Sequence, residues 1–168
     1  KVENPLSLEP RLLTVLQQEY PRFSAAEYAR RHQALAAAMD KHGCDHLLLM
    51  TDHRSGNAPQ WVTGWPGTAE AYVIFKPGVQ MVMHVEWHNH HPLAQKIAAG
   101  VDVRWGQHQG IAKTIDELKR RGAKRVGIIG PLTVAKYRRL EAEFDMVMLD
   151  ADYTRLRMIK SAEEIDWL

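Results

Sequence analysis

Residues 83–94, MHVEWHNHHPLA, hold four of the chain's nine histidines together with a glutamate and a tryptophan. Such a set could ligate a metal, receive an anion or line a pocket, depending on which side chains share a face. In an extended strand alternate residues do, which groups His84, Glu86 and His88, and His90 if the strand continues. Positions four apart on a strand are separated by about 13 Å, at about 3.3 Å per residue. Zinc ligands sit about 2 Å from the ion, so His84 and His88 of one straight strand cannot share one. Only a closer pair such as His88 and His90 could, with further ligands from elsewhere. The order is H-x-E-x-H and not the helical H-E-x-x-H of zinc proteases, and no metal is expected from this cluster alone. Pro92 suits the first turn of a helix, which puts residues 88–91 on the approach to a helix N-terminus, where N–H groups favour a carboxylate or other anion. The plainer reading makes the same imidazoles the polar rim of a strand end, and spacing leaves the two open.

A second group lies in TDHRSGNAPQWVTGWPGTAE, residues 51–70, which combines Asp52, His53 and Arg54 with Trp61 and Trp65. Trp61 opens an expected strand and reads as core. Trp65, between Gly64 and Pro66, is harder to bury in a regular element and is a pocket-lining candidate. The phosphate-cradling G-x-x-x-x-G-K-[ST] and the nucleophile elbow G-x-S-x-G are both absent. GIIGPL at residues 127–132 falls between a strand and a helix but is not G-x-G-x-x-G, so a nucleotide site is the weakest reading. The acidic pairs Glu163-Glu164 and Glu141/Glu143 read as solvated helix surfaces.

The elements that must position these residues follow from periodicity. Residues 6–21 read as a short helix stopped by Pro21. A second helix starts at Ser24, with Glu27 completing a capping box, and stops at Gly43; Tyr28, Leu35 and Met39 share its buried face. DHLLLM is a buried strand. QWVTGW, EAYVIF and QMVMHVEW read as strands, the last two a hairpin turning at KPG. HPLAQKIAAG is a short helix and VDVRW a strand. The helix IAKTIDELKRRG, with Ile111, Ile115 and Leu118 on one side, the strand KRVGIIG, the helix TVAKYRRLEAEF and the strand DMVMLD complete the series. Alternating strands and helices imply parallel pairing with helices on the faces, and the hairpin adds an antiparallel element. The expectation is one α/β three-layer domain.

Composition bounds the function. A formal charge of +2, from 22 basic and 20 acidic residues, excludes a polyelectrolyte. The basic runs Lys119-Arg120-Arg121 and Arg138-Arg139 read as solvated helix faces, so no nucleic-acid partner is expected. The single cysteine, Cys44, excludes an internal disulfide and reads as a small core residue. Nothing approaches the roughly 18 apolar residues of a membrane span, and no signal peptide is visible, which makes a cytoplasmic protein without a membrane partner the expectation.

Three segments, taken together, resemble the N-terminal domain of the creatinase/prolidase/aminopeptidase P family of pita-bread metallohydrolases (peptidase M24). EYARRHQALAAAMDKHGCDHLLLM resembles its opening helix and strand. NAPQWVTGWPGTAEAYVIF resembles its N-x-x-Y-[LYV]-[TS]-G-[FW] signature and following strand. RLRMIKSAEEIDWL is similar to its R-x-x-K-S-x-x-E-[IL] passage into the catalytic domain. The resemblance implies a mixed five- or six-stranded sheet flanked by helices, ribonuclease H-like in shape, over residues 1–155, with residues 156–168 starting the linker helix. It also implies that the two Asp, one His and two Glu that bind two divalent metal ions lie in a C-terminal catalytic domain beyond Leu168. This chain would then have no cofactor and no catalytic residue of its own, and would shape substrate access and build a homodimer for a C–N bond hydrolase. Carried over, Trp65 of T-G-W is the foremost pocket residue, and creatinase-like members point to Thr68 and Glu70; Arg54, His88 and His90 join them from their loops. Where many peptidase members carry D-x-R-Y, this sequence has VEWHNHH, which leaves a small amide or amidine substrate open beside a proline peptide. The alternative is a stand-alone module binding a small carboxylate or amidine.

Overall fold

The computed structural model describes residues 9, 10, 13, 22–67, 69–98 and 100–168. The helix expected over residues 6–21 lies almost entirely outside them, as does Thr68. Six strands form one sheet in the order β4-β3-β2-β1-β5-β6: β1 (His46–Thr51), β2 (Ala71–Lys76), β3 (Val79–Val85), β4 (Asp102–Trp105), β5 (Arg125–Ile129) and β6 (Asp145–Met148). β1 pairs parallel with β5, β5 with β6, and β3 with β4, while β2 runs antiparallel to both its neighbours. Five strands therefore point one way, and their carboxyl ends share an edge of the sheet.

Side-chain alternation divides the core into two. Leu47, Leu49, Val73, Phe75, Met83 and Ile129 face α1 (Ala25–His42), α2 (Ala58–Thr63), α3 (His91–Ile97) and α6 (Asp150–Met158). Leu48, Met50, Tyr72, Ile74, Val126 and Ile128 face α4 (Gly110–Arg120) and α5 (Val134–Glu141). The three layers, the mixed sheet and the hairpin are those expected, with six strands. Leu35, Met39, Ile111, Ile115 and Leu118 are buried on the faces read for them, and Cys44 is buried and free.

QWVTGW is not a strand. Pro59 sits in the first turn of α2 and Gly64, at φ 83°, supplies its left-handed stop, so the β-prone Trp61-Val62-Thr63 run closes as one helical stretch. The result is that Trp61 and Val62 point into the α1 side of the core.

The capping box at Ser24 is half formed. Its hydroxyl accepts from the Glu27 N–H at 3.1 Å, but the Glu27 carboxylate has turned to Arg30 and Arg31. The Ser24 N–H donates instead to Glu163 at 2.9 Å. Glu163 belongs to α7 (Ala162–Asp166), whose own box, Ser161 with Glu164, is complete. The Glu163-Glu164 pair is thus no solvated surface: Glu164 also accepts from Arg31 and the Trp61 indole, fixing α7 against α1 and α2. The repulsion of two neighbouring carboxylates is met by a separate partner for each.

Candidate functional site

The carboxyl edge of the sheet collects most of the chemistry-bearing residues. β1 runs out at Thr51 into a tight turn in which Asp52 and Ser55 exchange backbone hydrogen bonds at 3.0 and 2.7 Å. Its central residues, His53 (φ 33°) and Arg54 (φ 69°), are left-handed without being glycine. That conformation costs of order 1–3 kcal/mol per residue. Both side chains project into solvent.

Beside this turn, Lys136 of α5 holds two carboxylates at once, Asp52 at 3.0 Å and Glu70 at 2.6 Å. The Tyr72 hydroxyl donates to the other oxygen of Glu70, also at 2.6 Å. Burial works against the Lys136 ammonium, but Glu70 and Asp52 outweigh it and hold its pKa above the usual lysine range. Burial first, and then the Glu70 carboxylate, push the Tyr72 phenol up. The lysine is therefore a fixed cation and the tyrosine a fixed donor at neutral pH.

Asp52, His53 and Glu70 bring one ligand atom each within 4.8 Å of one another. They do not fit a two-metal centre. Three donors are too few, and the Lys136 ammonium already stands against both carboxylates where a cation would sit.

The histidine cluster is split by the end of β3 at Val85. His84 lies inside the strand, 3 % exposed, with Nδ1 against Thr114 Oγ1 at 2.9 Å. Residues 88–90 form a 3₁₀ turn. His88 and Trp105 pack T-shaped at 4.8 Å between centroids, His90 meets Trp65 at 5.6 Å, and His91 bonds the Val103 carbonyl at 3.0 Å. Among the described residues, none of the four belongs to a group of three or more metal-ligating side chains. Glu86 meets His108 at 3.4 Å.

Of the residues singled out in the sequence, Arg54, Glu70, His88 and His90 lie along the carboxyl edge. Trp65 is 4 % exposed and belongs to the core, its ring supporting His90 from beneath. Sequence reasoning missed Lys136, Asp52 as its partner, and Tyr72. Lys136 sits in an ordinary amphipathic helix, and only the three-dimensional crossover brings it to the edge.

His84 carries a testable consequence. Burial first, and Arg104 next, hold its pKa down to about 4 from 6.5; Lys113 acts in the same sense, while Glu117 and Asp102 oppose. The folded state thus keeps His84 neutral where the unfolded chain would protonate it. Its contribution to stability is present above pH 6.5 and is lost as pH falls towards 4. Urea unfolding of the native chain should show that decline, and His84→Gln should flatten it. Parallel pH profiles for the two would show that His84 is not the titrating group.

The family model of the creatinase/prolidase N-terminal domain matches residues 31–159. No curated protein matches the chain. Among solved structures, the Xaa-Pro dipeptidase from Bacillus anthracis superposes with a TM-score of 0.65 at 23 % identity, over 82 % of this chain and 38 % of that one. The dipeptidase PepE from Mycobacterium ulcerans gives 0.67 at 20 % identity, over 86 % and 40 %. The aminopeptidase P, an Xaa-Pro aminopeptidase, from Streptococcus thermophilus gives 0.63 at 18 % identity, over 78 % of this chain and 98 % of that one. The chain spans about two fifths of the length of each of these two dipeptidases. With 129 of its 168 residues inside the family model, and with a fold that these structures share, the chain belongs to the creatinase/prolidase N-terminal domain family.

Proposed function

We propose that this chain is the non-catalytic N-terminal domain of a cytoplasmic C–N bond hydrolase of the Xaa-Pro peptidase or creatinase type, shaping substrate access and homodimer assembly. The metal chemistry of such an enzyme belongs to its catalytic domain, entered through the passage expected over residues 156–168. The observation that carries the reading is the strained turn at the carboxyl edge. His53 and Arg54 are held left-handed beside the Lys136, Asp52 and Glu70 network, and conformational strain of this kind concentrates where side chains must be aimed at something. The exposed His88 stands on the same edge, and Trp65 buttresses His90. The names of the structural relatives, dipeptidase and aminopeptidase P, favour peptides, while VEWHNHH in place of D-x-R-Y keeps a small amide or amidine in view.

The test uses the full-length enzyme with an Xaa-Pro dipeptide and with creatine. Arg54→Ala and His88→Ala should each raise KM about tenfold, the loss of one charge-assisted contact, with kcat nearly unchanged. Both side chains are exposed, so folding is not at stake. Wild-type KM in both variants on whichever substrate turns over would refute the access role.

A further inference from the structure

The basic run Lys119-Arg120-Arg121, read from sequence as a solvated face, is not one. Arg120 and Arg121 turn back onto Glu117 of the same helix, with Nε contacts at 2.9 and 2.7 Å, and Arg104 of β4 reaches the same carboxylate at 3.1 Å. Three guanidiniums thus converge on one buried glutamate. Arg120 leads in pulling its pKa down to about 2, burial opposes, and Arg121 and Arg104 add to the depression. Asp102 takes the far side of Arg104 at 2.9 Å.

Beside this knot, between α4 and the parallel pair β3 and β4, lies a recess of about 330 Å³. Arg104, Lys113, Asp116, Glu117 and Arg120 line it, with His84 and Trp105. The Lys113 ammonium has no carboxylate partner among the described residues; it donates to the Trp105 carbonyl at 3.2 Å. Arg120 uses Nε and Nη2 on Glu117 and keeps Nη1 for another acceptor. The four cations, Arg121 included, outnumber Asp102, Asp116 and Glu117, so the recess carries positive charge. Its buried wall is His84, whose Nδ1 is taken by Thr114 at 2.9 Å. Trp105, 42 % exposed, also lines it, and its indole N–H is anchored to the Glu86 carbonyl at 3.0 Å.

A merely structural knot would neutralise itself and close. This one leaves a lysine without a counter-ion among the described residues, an arginine nitrogen uncommitted and an anchored indole wall, all on one cavity of the size that holds small ligands. Cations with spare N–H groups bind carboxylates and phosphates through charge-assisted hydrogen bonds, and an indole face covers a flat apolar group. We propose that the recess between α4 and the β3–β4 pair binds a small organic anion, a carboxylate or phosphate borne on a flat apolar group.

Calorimetric titration of the chain with phenyl phosphate, benzoate and phenol tests the assignment. At least one of the two anions should bind saturably, and phenol should not. Phenyl phosphate as the tighter ligand would identify a phosphate site, and benzoate a carboxylate site. Lys113→Gln and Arg120→Gln should each weaken binding about tenfold or more, as expected for one lost charge-assisted contact. The bound anion should also shift the His84 imidazole resonance, identified by its loss in His84→Gln. No saturable binding of either anion at about 1 mM, equal binding of phenol, or an unmoved His84 resonance would each overturn the proposal. Unweakened binding in a Lys113→Gln chain that retains its native thermal midpoint would do the same.

Discussion

Replacing Arg31 by alanine should lower the unfolding free energy by about 3–5 kcal/mol, the cost of breaking a buried ion pair by removing one partner. The guanidinium is 2 % exposed and points three ways. Nε donates to Glu27 at 2.7 Å, Nη1 to the Trp61 carbonyl at 2.9 Å and Nη2 to Glu164 at 3.0 Å. Its faces are covered by Phe23, 4.0 Å from the ring centroid, and by Trp61 at 5.3 Å. Alanine leaves a void among aromatic rings, an unpaired carbonyl, and two carboxylates with only Arg30 between them. Lysine should not rescue the loss, because a single ammonium cannot serve three acceptors in the plane of a guanidinium. Removing the charges together, as Glu27→Gln, Arg31→Met and Glu164→Gln, should recover much of the stability. Urea titration decides, and a loss below about 1 kcal/mol for Arg31→Ala would mean that the guanidinium is far better solvated than its burial implies.

The same network fixes a pH window. The Glu27 carboxyl is held down at about 2, against 4.5, chiefly by Arg30; burial opposes, and Arg31 and Ser161 add to the depression. A depressed carboxyl contributes in full above its unfolded pKa and loses that contribution as pH falls through the folded value. The decline therefore runs from about 4.5 down to about 2. Most of it lies below the window of His84, which runs from 6.5 to about 4, so comparing His84→Gln with the native chain separates the two groups in one acid titration. Because Arg31 ties α7 to α1 and α2, Arg31→Ala should also speed amide exchange in α7 before the sheet opens.

How much of this could be read in advance depends on the range of the interaction. Strands and helices with strong local periodicity, DHLLLM, KRVGIIG and IAKTIDELKRRG, stand where the pattern puts them. The Ser161 box, a signal confined to four residues, forms in full. QWVTGW failed because aromatic and β-branched residues favour strands only through the surface they pack on, whereas Pro59 and Gly64 act on the backbone directly. The candidate site was legible only as a set of loops. His88, His90 and Arg54 could be placed on a rim because loops after parallel strands gather at one edge. Lys136 could not, because nothing local marks a lysine that will meet Asp52 and Glu70 from across a crossover. The convergence of Arg104, Arg120 and Arg121 was hidden for the opposite reason. A run of basic residues on a helix looks solvated until a glutamate one turn earlier is found to be buried among them.

The glycines of GIIGPL, which raised and then weakened a nucleotide reading, have a packing explanation with a large expected effect. Gly130 ends β5 at φ 119°, and a Cβ there would lie 2.2 Å from the Met50 carbonyl oxygen. The obstacle is backbone of the central strand β1, so no rotamer change relieves it. Its N–H donates to Asp150 at 2.9 Å, which prevents the chain from backing away without losing that bond. Gly130→Ala should therefore cost about 1–3 kcal/mol for the overlap and about 1–3 kcal/mol for the strained conformation. Gly122→Ala is the control, since Gly122 has φ 73° but nothing within 4 Å of its Cβ; it should show only a conformational cost of about 1–2 kcal/mol. The difference between the two isolates the close approach. It should also reach the carboxyl edge, because the displaced Met50 leads directly into the turn that presents His53 and Arg54, and Pro131 packs on that turn at Gly56. Equal losses for the two alanines in urea unfolding would remove the packing explanation for Gly130. A larger loss at Gly130 would tie the geometry of the proposed access edge to a backbone contact between β1 and β5.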